Sequence, residues 1–302
     1  MTGDGETRCG FVALIGDTNA GKSTLLNSLV GAKVSIVTHK VQTTRALIRG
    51  IAIRDNTQIV FVDTPGIFQP RRRLDSAMVR TAWRGAGDAD LVVLIADARK
   101  GLAGAVPEII ERLRDVPHPR FLVLNKIDLM KREELLAVTR AFNDAADFEQ
   151  TFMISALNGD GVEDVLSAVT ERMPVGPWLY PEDQLSDFPL RQLASEITRE
   201  KLYLRLHQEL PYESTVETEG WEDRADGSVR IEQVIYVTRQ SQRAIVLGKQ
   251  GRTIKEIGRA SREELSGILE RPVHLFLFVK VREGWTDDPE RYREMGLEFP
   301  NK

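Results

Sequence analysis

A mostly parallel sheet with helices on both faces, followed by a smaller α+β domain, is the fold this sequence predicts. Three observations predict it. Apolar runs recur at 11–16, 58–63, 91–97, 121–125 and 151–155, with helix-periodic segments such as 131–142 and 161–172 between them. Such alternation is the pattern of parallel βαβ units. Leu91-Val92-Val93-Leu94-Ile95-Ala96 and Phe121-Leu122-Val123-Leu124 are apolar without a break, as strands covered on both faces must be. The pattern then stops at 173–187, a stretch holding Pro174, Pro177 and Pro181, and a different order of elements follows it. A chain of 302 residues is long enough for two domains. The boundaries read as a first domain over 1–172, a linker over 173–188, a second domain over 189–282 and a C-terminal extension over 283–302.

Composition narrows the class. Hydrophobic content of 42% with 28% charged residues is ordinary for a water-soluble globular chain. The single cysteine, Cys9, has no partner for an internal disulfide, which suits a reducing compartment. No apolar run reaches the roughly 18 residues of a membrane span, and the first residues lack the basic and apolar regions of a signal peptide. A cytoplasmic protein is expected. Its net charge of −4 does not by itself point to nucleic acid.

Taken in order, the first strand ends at Gly16-Asp17-Thr18-Asn19-Ala20-Gly21-Lys22-Ser23, and a helical pattern starts at Thr24. Strand, G-x-x-x-x-G-K-[ST] and helix together define a phosphate-binding loop. Its glycines let backbone N–H groups close around phosphate oxygens, and the new helix turns its positive end to the same anion. Lys22 reaches the β/γ-phosphates and the Ser23 hydroxyl suits Mg²⁺. Strand 58–63 ends in Asp63-Thr64-Pro65-Gly66. There Asp63 can hold the metal and the Gly66 N–H can meet a γ-phosphate, so that this loop reports the triphosphate. Strand 121–125 ends in Asn125-Lys126-Ile127-Asp128. Asp128 can accept from both N1–H and the 2-amino group of guanine, a donor pair adenine lacks. Ser155-Ala156-Leu157 follows the next strand and closes the base pocket through the Ala156 N–H. Between the phosphate loop and Asp63 lies Lys40-Val41-Gln42-Thr43-Thr44-Arg45, where Thr44, or failing it Thr43, can ligate Mg²⁺.

These residues together resemble the TRAFAC class of GTPases, and the Gln-Thr-Thr-Arg and Asp-Thr-Pro-Gly-Ile stretches resemble its Era group most closely. The resemblance implies a P-loop GTPase domain that hydrolyses GTP slowly with Mg²⁺. Nucleotide contacts would fall on Gly16–Thr24, Asp63–Gly66, Asn125, Lys126, Asp128 and Ser155–Leu157, with metal ligands Ser23, Thr44 and Asp63. Ile67 stands where many GTPases carry the water-orienting glutamine, and an isoleucine cannot hold water. Relatives with this replacement often use K⁺, ligated by a phosphate-loop asparagine, and Asn19 has that place. Lys22, Thr44, Gly66 and Asn19 are thus the candidate catalytic residues.

In the second domain the expected order is a helix over 189–208, strands over 211–222 and 229–239, a short helix, a long helix over 252–270 and a strand over 272–281. Gly248-Lys249-Gln250-Gly251 joins the two later helices. A G-x-x-G loop in that setting lets a nucleic-acid backbone approach, while a groove beside it takes about four unpaired nucleotides. The loop and the α-β-β-α-α-β order resemble a type II KH domain. Residues 239–262 carry seven cations against Glu256 alone, and 213–226 carry six acids against Arg224, so a focused basic patch is expected. Arg252, Lys255, Arg259 and Arg262 recur on one helix face, with Ile254, Ile257, Leu265 and Ile268 on the packed face. Gly248, Lys249, Gln250, Gly251, Arg252, Lys255 and Arg259 are the candidate RNA contacts. Arg71-Arg72-Arg73 reads as a solvated basic loop. The extension, with Trp285, Tyr292 and Met295, is expected to pack on the second domain.

The family resemblance further implies binding to the 3′ end of small-subunit (16S) rRNA during 30S ribosomal subunit assembly, a monomer, and peripheral contact with the inner face of the plasma membrane. Two alternatives stand beside it: an RNA-modification GTPase, for which no second catalytic cluster is visible, and an RNA-binding protein whose GTP site is mainly structural.

Overall fold

In the computed structural model, which describes residues 6–40, 43–70, 73–206, 210–284 and 288–299, β1 (Arg8–Ile15) lies inside a six-stranded sheet. The other strands are β2 (Ile48–Arg54), β3 (Thr57–Asp63), β4 (Leu91–Asp97), β5 (Arg120–Asn125) and β6 (Gln150–Ile154). Their order is β2-β3-β1-β4-β5-β6. All neighbours are parallel except β2 and β3. The helices among them are α1 (Lys22–Val30), α2 (Arg73–Gly87), α3 (Val106–Leu113), α4 (Arg132–Ala145) and α5 (Val162–Arg172). Every residue of β3 and β4 is buried, and each apolar side chain so removed from water stabilises the fold by roughly 1.5–3 kcal/mol. The chain runs from β1 to β3 on one side and to β4, β5 and β6 on the other. The crevice at the carboxyl ends of β1 and β4 is where a sheet of this type takes its ligand.

β2 is an element the apolar runs do not announce. Ile48-Arg49-Gly50-Ile51-Ala52-Ile53-Arg54 is short, is broken by a glycine, and forms an antiparallel edge with β3.

A second set of elements comprises α6 (Leu190–Arg205), β7 (Ser214–Asp223), β8 (Val229–Val237), α7 (Gln240–Leu247), α8 (Arg252–Ile268) and β9 (Val273–Val281), with a short α9 (Pro289–Glu294) after them. The sheet order is β7-β8-β9, with β7 antiparallel and β9 parallel to β8. Tyr203, Ile235, Val237, Val246 and Ile257 form one part of its core, and Ile197, Ile231, Leu265 and Val273 another.

The chain divides into two compact units: Met1–Ser35, Thr44–Asp187 and Tyr292–Lys302 form the first, and Ile36–Thr43 with Phe188–Arg291 the second. Two features of this division depart from the expected layout. Ile36 is fully buried in the second unit's core, the Val37 N–H donates to Glu200 Oε1 at 2.8 Å, and Arg199 donates to the Thr43 carbonyl. The extension is divided: up to Arg291, which is buried and ion-paired with Glu217, it belongs to the second unit as expected, and from Tyr292 onward it belongs to the first. Tyr292 and Leu297 are buried against Leu74, Ala77 and Met78 of α2, with Phe299 edge-on to Tyr292 at 4.9 Å. The spacing of Tyr292, Met295, Leu297 and Phe299 gives the tail an apolar side that matches the outer stripe of α2. Among the described residues no helix is long and apolar enough to cross a membrane. Val41, Gln42, Arg71, Arg72 and Trp285 lie outside the described residues.

Candidate functional site

Four loops meet at the carboxyl ends of the first unit's parallel strands. The phosphate loop leaves β1 and enters α1 at Gly21, which has φ of 101° and no room for a side chain: a Cβ there would lie 2.1 Å from Asn125 Nδ2. No side chain caps α1. Its first N–H groups are therefore left for an anion, to which the helix end is attractive. The Lys22 ammonium is buried and donates to the Gly16 and Asp17 carbonyls at 3.1 and 2.9 Å. Burial pushes it down to about 8, against the pull of Asp63 and Asp17. Asp17 accepts from the Thr18 N–H at 2.6 Å. Asn19 takes a left-handed backbone, φ 59°, and Ala20 is buried.

The metal candidates converge. Asp63 is fully buried; its Oδ2 accepts from Ser23 at 2.6 Å and from Ser35 at 3.0 Å. The Ser23 and Thr44 hydroxyls are 2.9 Å apart. Ser23 has one proton, given to Asp63, so Thr44 is the donor of that pair. Asp63 Oδ1 is buried with no hydrogen-bond partner, and burial raises its carboxyl above the ordinary range. A buried carboxylate oxygen without a proton donor, beside two hydroxyls, is a donor set for a hard divalent cation. Ser35, held by Asn27 through its backbone, is a member of this group that the motifs do not reveal. Thr43 is turned elsewhere, its hydroxyl donating to the Lys40 carbonyl at 2.7 Å.

In the next loop Thr64 is buried and donates to the Leu14 carbonyl at 2.8 Å, while Pro65 and Gly66 follow in the bend. The Ile67 N–H donates to the Gly16 carbonyl at 3.0 Å, tying this loop to the phosphate loop. The Ile67 side chain is buried in the apolar core and has no means to orient water.

Asn125 is the hub on the base side. Its Nδ2 donates to the Ala20 carbonyl at 2.9 Å, and its Oδ1 accepts from the N–H groups of Lys126 (2.8 Å) and Ala156 (2.9 Å). The Ala156 N–H, expected to close the base pocket, braces Asn125 in this structure. Ser155 is buried, and its hydroxyl accepts from the Asn158 N–H at 3.3 Å. Asp128 and Leu157 are exposed at the rim, and Thr24 sits partly buried in the first turn of α1. Asp97, at the end of β4 and paired in register with Asn125, also enters the site, accepting from Lys126 Nζ at 2.8 Å.

The second unit places Gly248, Lys249, Gln250 and Gly251 between α7 and α8. Gly248 has φ of 70°, and a Cβ there would fall 2.2 Å from Thr253 Oγ1; Gly251, at φ 75°, faces open space out to Lys255. Lys249, Gln250, Arg252, Lys255, Arg259 and Arg262 are exposed. The basic stripe is less free than its spacing implies: Arg252 lies 3.2 Å from Glu256 and Arg259 3.9 Å from Glu263. Ile257 and Leu265 are buried below it, with Ile254 and Ile268 partly so.

A guanine-selective phosphate-loop site on a mostly parallel sheet, followed by a KH-type unit with an exposed G-x-x-G loop, defines the class: a P-loop GTPase joined to a KH domain. Residues 11–126 match the family described as 50S ribosome-binding GTPase, and residues 209–286 match the KH domain family. GTPase Era of Sinorhizobium medicae (strain WSM419) is 69% identical over 97% of this chain and 95% of its own. That of Mesorhizobium japonicum is 67% identical over 98% and 95%. Among solved structures, an Aquifex aeolicus Era variant bound to GDP·AlF4⁻ superposes with a TM-score of 0.91 at 36% identity, covering 96% of this chain and 99% of that one. Era in complex with MgGDPNP and nucleotides 1506–1542 of 16S ribosomal RNA matches with the same score, identity and coverage. The chain belongs to the Era family of GTPases, and its activity is the hydrolysis of GTP.

Proposed function

We propose that this GTPase couples its nucleotide state to the binding of small-subunit rRNA near the 3′ end, in assembly of the 30S subunit. One observation carries the reading: a single chain holds an enclosed guanine-nucleotide site and an exposed, cationic G-x-x-G loop. A relative of the same fold has been seen with both a GTP analogue and 16S rRNA. Ser23, Thr44 and Asp63 are the residues that would hold Mg²⁺, which supplies positive charge against the phosphates when bound. The chain's own contribution is electrostatic and positional. Lys22 offsets charge at the β/γ-phosphates, the backbone of 16–23 surrounds them, and the Gly66 N–H meets the γ-phosphate. Among the described residues the loops place no side chain as a general base. With Ile67 in the core, Asn19 would be the residue that holds K⁺, which would supply further positive charge against the phosphates when bound; equal rates in KCl and NaCl, or an unaltered K⁺ response in Asn19→Ala, would remove it from the mechanism.

The test is GTP turnover in K⁺ buffer with a short single-stranded RNA matching the 3′ end of 16S rRNA, against a scrambled RNA and against Lys249→Glu/Arg252→Glu protein. Stimulation by the matching RNA alone, lost in the variant, is expected. Equal stimulation by both RNAs sinks the specific-ligand claim. Cytoplasmic residence with peripheral contact to the inner membrane face belongs to the same reading, and co-flotation with anionic vesicles tests it.

A further inference from the structure

We infer that Asp97 is a positioning residue for nucleotide retention, acting through Lys126 to hold the phosphate loop against the base loop. No recognised motif contains Asp97. It is the last residue of β4, beside Asn125 at the end of β5, and its side chain is 3% exposed. Four hydrogen bonds converge on it. Oδ1 accepts from the Arg99 N–H and Arg99 Nε, both at 3.1 Å, and Oδ2 accepts from Arg99 Nη2 at 2.9 Å and Lys126 Nζ at 2.8 Å.

The same Lys126 ammonium donates to the Asn19 carbonyl at 2.5 Å. One charged group therefore spans three loops: the end of β4, the base loop and the phosphate loop. The backbone at both bridged positions is unusual. Lys126 has φ of 69° and Asn19 has φ of 59°, a left-handed conformation that costs a non-glycine residue roughly 1–2 kcal/mol. Such strain persists only where the surroundings over-determine it. At Lys126 they do so through the N–H to Asn125 Oδ1 and the side chain to Asp97 and Asn19. Without the Asp97 carboxylate, a partly buried ammonium loses its counter-charge. Lys126 then has less reason to stay over the phosphate loop, and the route by which bound nucleotide leaves opens more often.

Arg99 shares Asp97 but not this role. Its side chain is 45% exposed, and it has no hydrogen bond to the phosphate loop among those the structure shows. It therefore separates a specific action through Lys126 from general damage to the strand end.

The experiment measures release of the fluorescent analogue mant-GDP from the full chain. The proteins are wild type, Asp97→Asn, Lys126→Met, the double variant and Arg99→Ala. Removing one partner of a buried charge pair acts on dissociation, so Asp97→Asn is expected to speed release about tenfold. The double variant is expected to release no faster than Lys126→Met alone, and Arg99→Ala to stay within about twofold of wild type. In steady state Asp97→Asn is expected to raise KM for GTP, as weaker retention of the nucleotide requires. Release at the wild-type rate, factors that multiply in the double variant, or an equal effect of Arg99→Ala would each overturn the inference. If Asp97→Asn does not fold, Lys126→Met carries the test, and wild-type release from it overturns the proposal equally; Asp97→Glu, which keeps the charge, is expected to stay near the wild-type rate. The inference concerns the nucleotide alone, so it stands or falls apart from the RNA reading.

Discussion

The phosphate loop and the Gly248–Gly251 loop each pair two glycines with lysine and start a helix, yet they are built in opposite ways. Around Lys22 the groups that shape the site are held by partners within the protein, from the Gly16 and Asp17 carbonyls to the Asn125 hub, and the α1 N–H groups and Asp63 Oδ1 are left for the ligand. Around Lys249 the cations stand in solvent, and Gly251 faces open space. A small ligand surrounded on all sides needs a framework made rigid beforehand, because one misplaced donor costs a large share of its binding. A polymer laid across a surface needs access and charge, and many weak phosphate interactions supply the affinity. Like sequence motifs thus yield an enclosed site and an open one, and single substitutions should have unlike effects on the two.

The largest effect is expected at Asp128. Asp128→Asn presents an N–H where guanine also presents one, leaving a guanine donor without an acceptor. GTP affinity should fall on the order of a hundredfold or more. Xanthosine triphosphate, with a carbonyl at the position of the 2-amino group, should gain. Competition binding with both nucleotides reads this directly. Equal loss of both would mean that Asp128 shapes the loop and does not read the base.

Next in size is a contrast within the open loop itself. Gly248→Ala combines a left-handed φ with a Cβ 2.9 Å from the Thr253 backbone nitrogen, and should cost about 2–3 kcal/mol. Gly251→Ala meets only the backbone term, about 1 kcal/mol. Hydrogen exchange of the α7 and α8 amides distinguishes them. If the two variants lose protection equally, crowding at Thr253 is not what selects the first glycine. The same geometry makes acidic substitutions at these glycines poor probes of RNA binding, since they disturb the fold as well as the charge.

A cleaner probe is Lys249→Glu. It changes one exposed charge with no hydrogen-bonded framework around it. Single-strand RNA affinity should fall, and the slope of log K against log salt should flatten by about 0.7 for each phosphate that is no longer neutralised. Filter binding across a salt series measures both. Affinity that drops with an unchanged slope would place Lys249 on a base edge.

The enclosed site is largely legible in the sequence because its chemistry is written as local spacing. Gly16–Ser23, Asp63–Gly66 and Asn125–Asp128 each follow a buried strand, so motif and strand end identify one another. Residues that join the site through tertiary placement are silent. Asp97 ends a strand as Asp63 does but has no glycine or lysine at a fixed offset to mark it. Ser35 reaches Asp63 while Asn27 holds its backbone in place, a pairing no local spacing announces. β2 escapes the apolar pattern because Gly50 interrupts its alternation, and its pairing to β3 is what makes it a strand. The face of α8 is less cationic than residues 239–262 suggest, since Glu263 lies just beyond that window and reaches Arg259. The partner of the tail is not legible at all, because an apolar stripe declares that it needs a cover, not which surface provides it.

The enclosed framework is also open to test through its protons. Burial alone would raise the Asp97 carboxyl, but the Arg99 and Lys126 hydrogen bonds outweigh it and hold the group at about 2, from an ordinary 3.8. A carboxyl whose folded pKa is depressed stabilises the native state above its unfolded pKa, and that stability is lost as pH falls toward the folded pKa. The difference corresponds to about 2 kcal/mol at neutral pH. Asp97→Asn should therefore be less stable than wild type by about that amount at pH 7, and the gap should shrink by roughly half by pH 3. Urea denaturation of nucleotide-free protein at several pH values follows it. A gap that stays constant through pH 3 would mean that the lost stability comes from packing or from the geometry of the loop, and that the carboxylate charge on Lys126 adds nothing to the folded state.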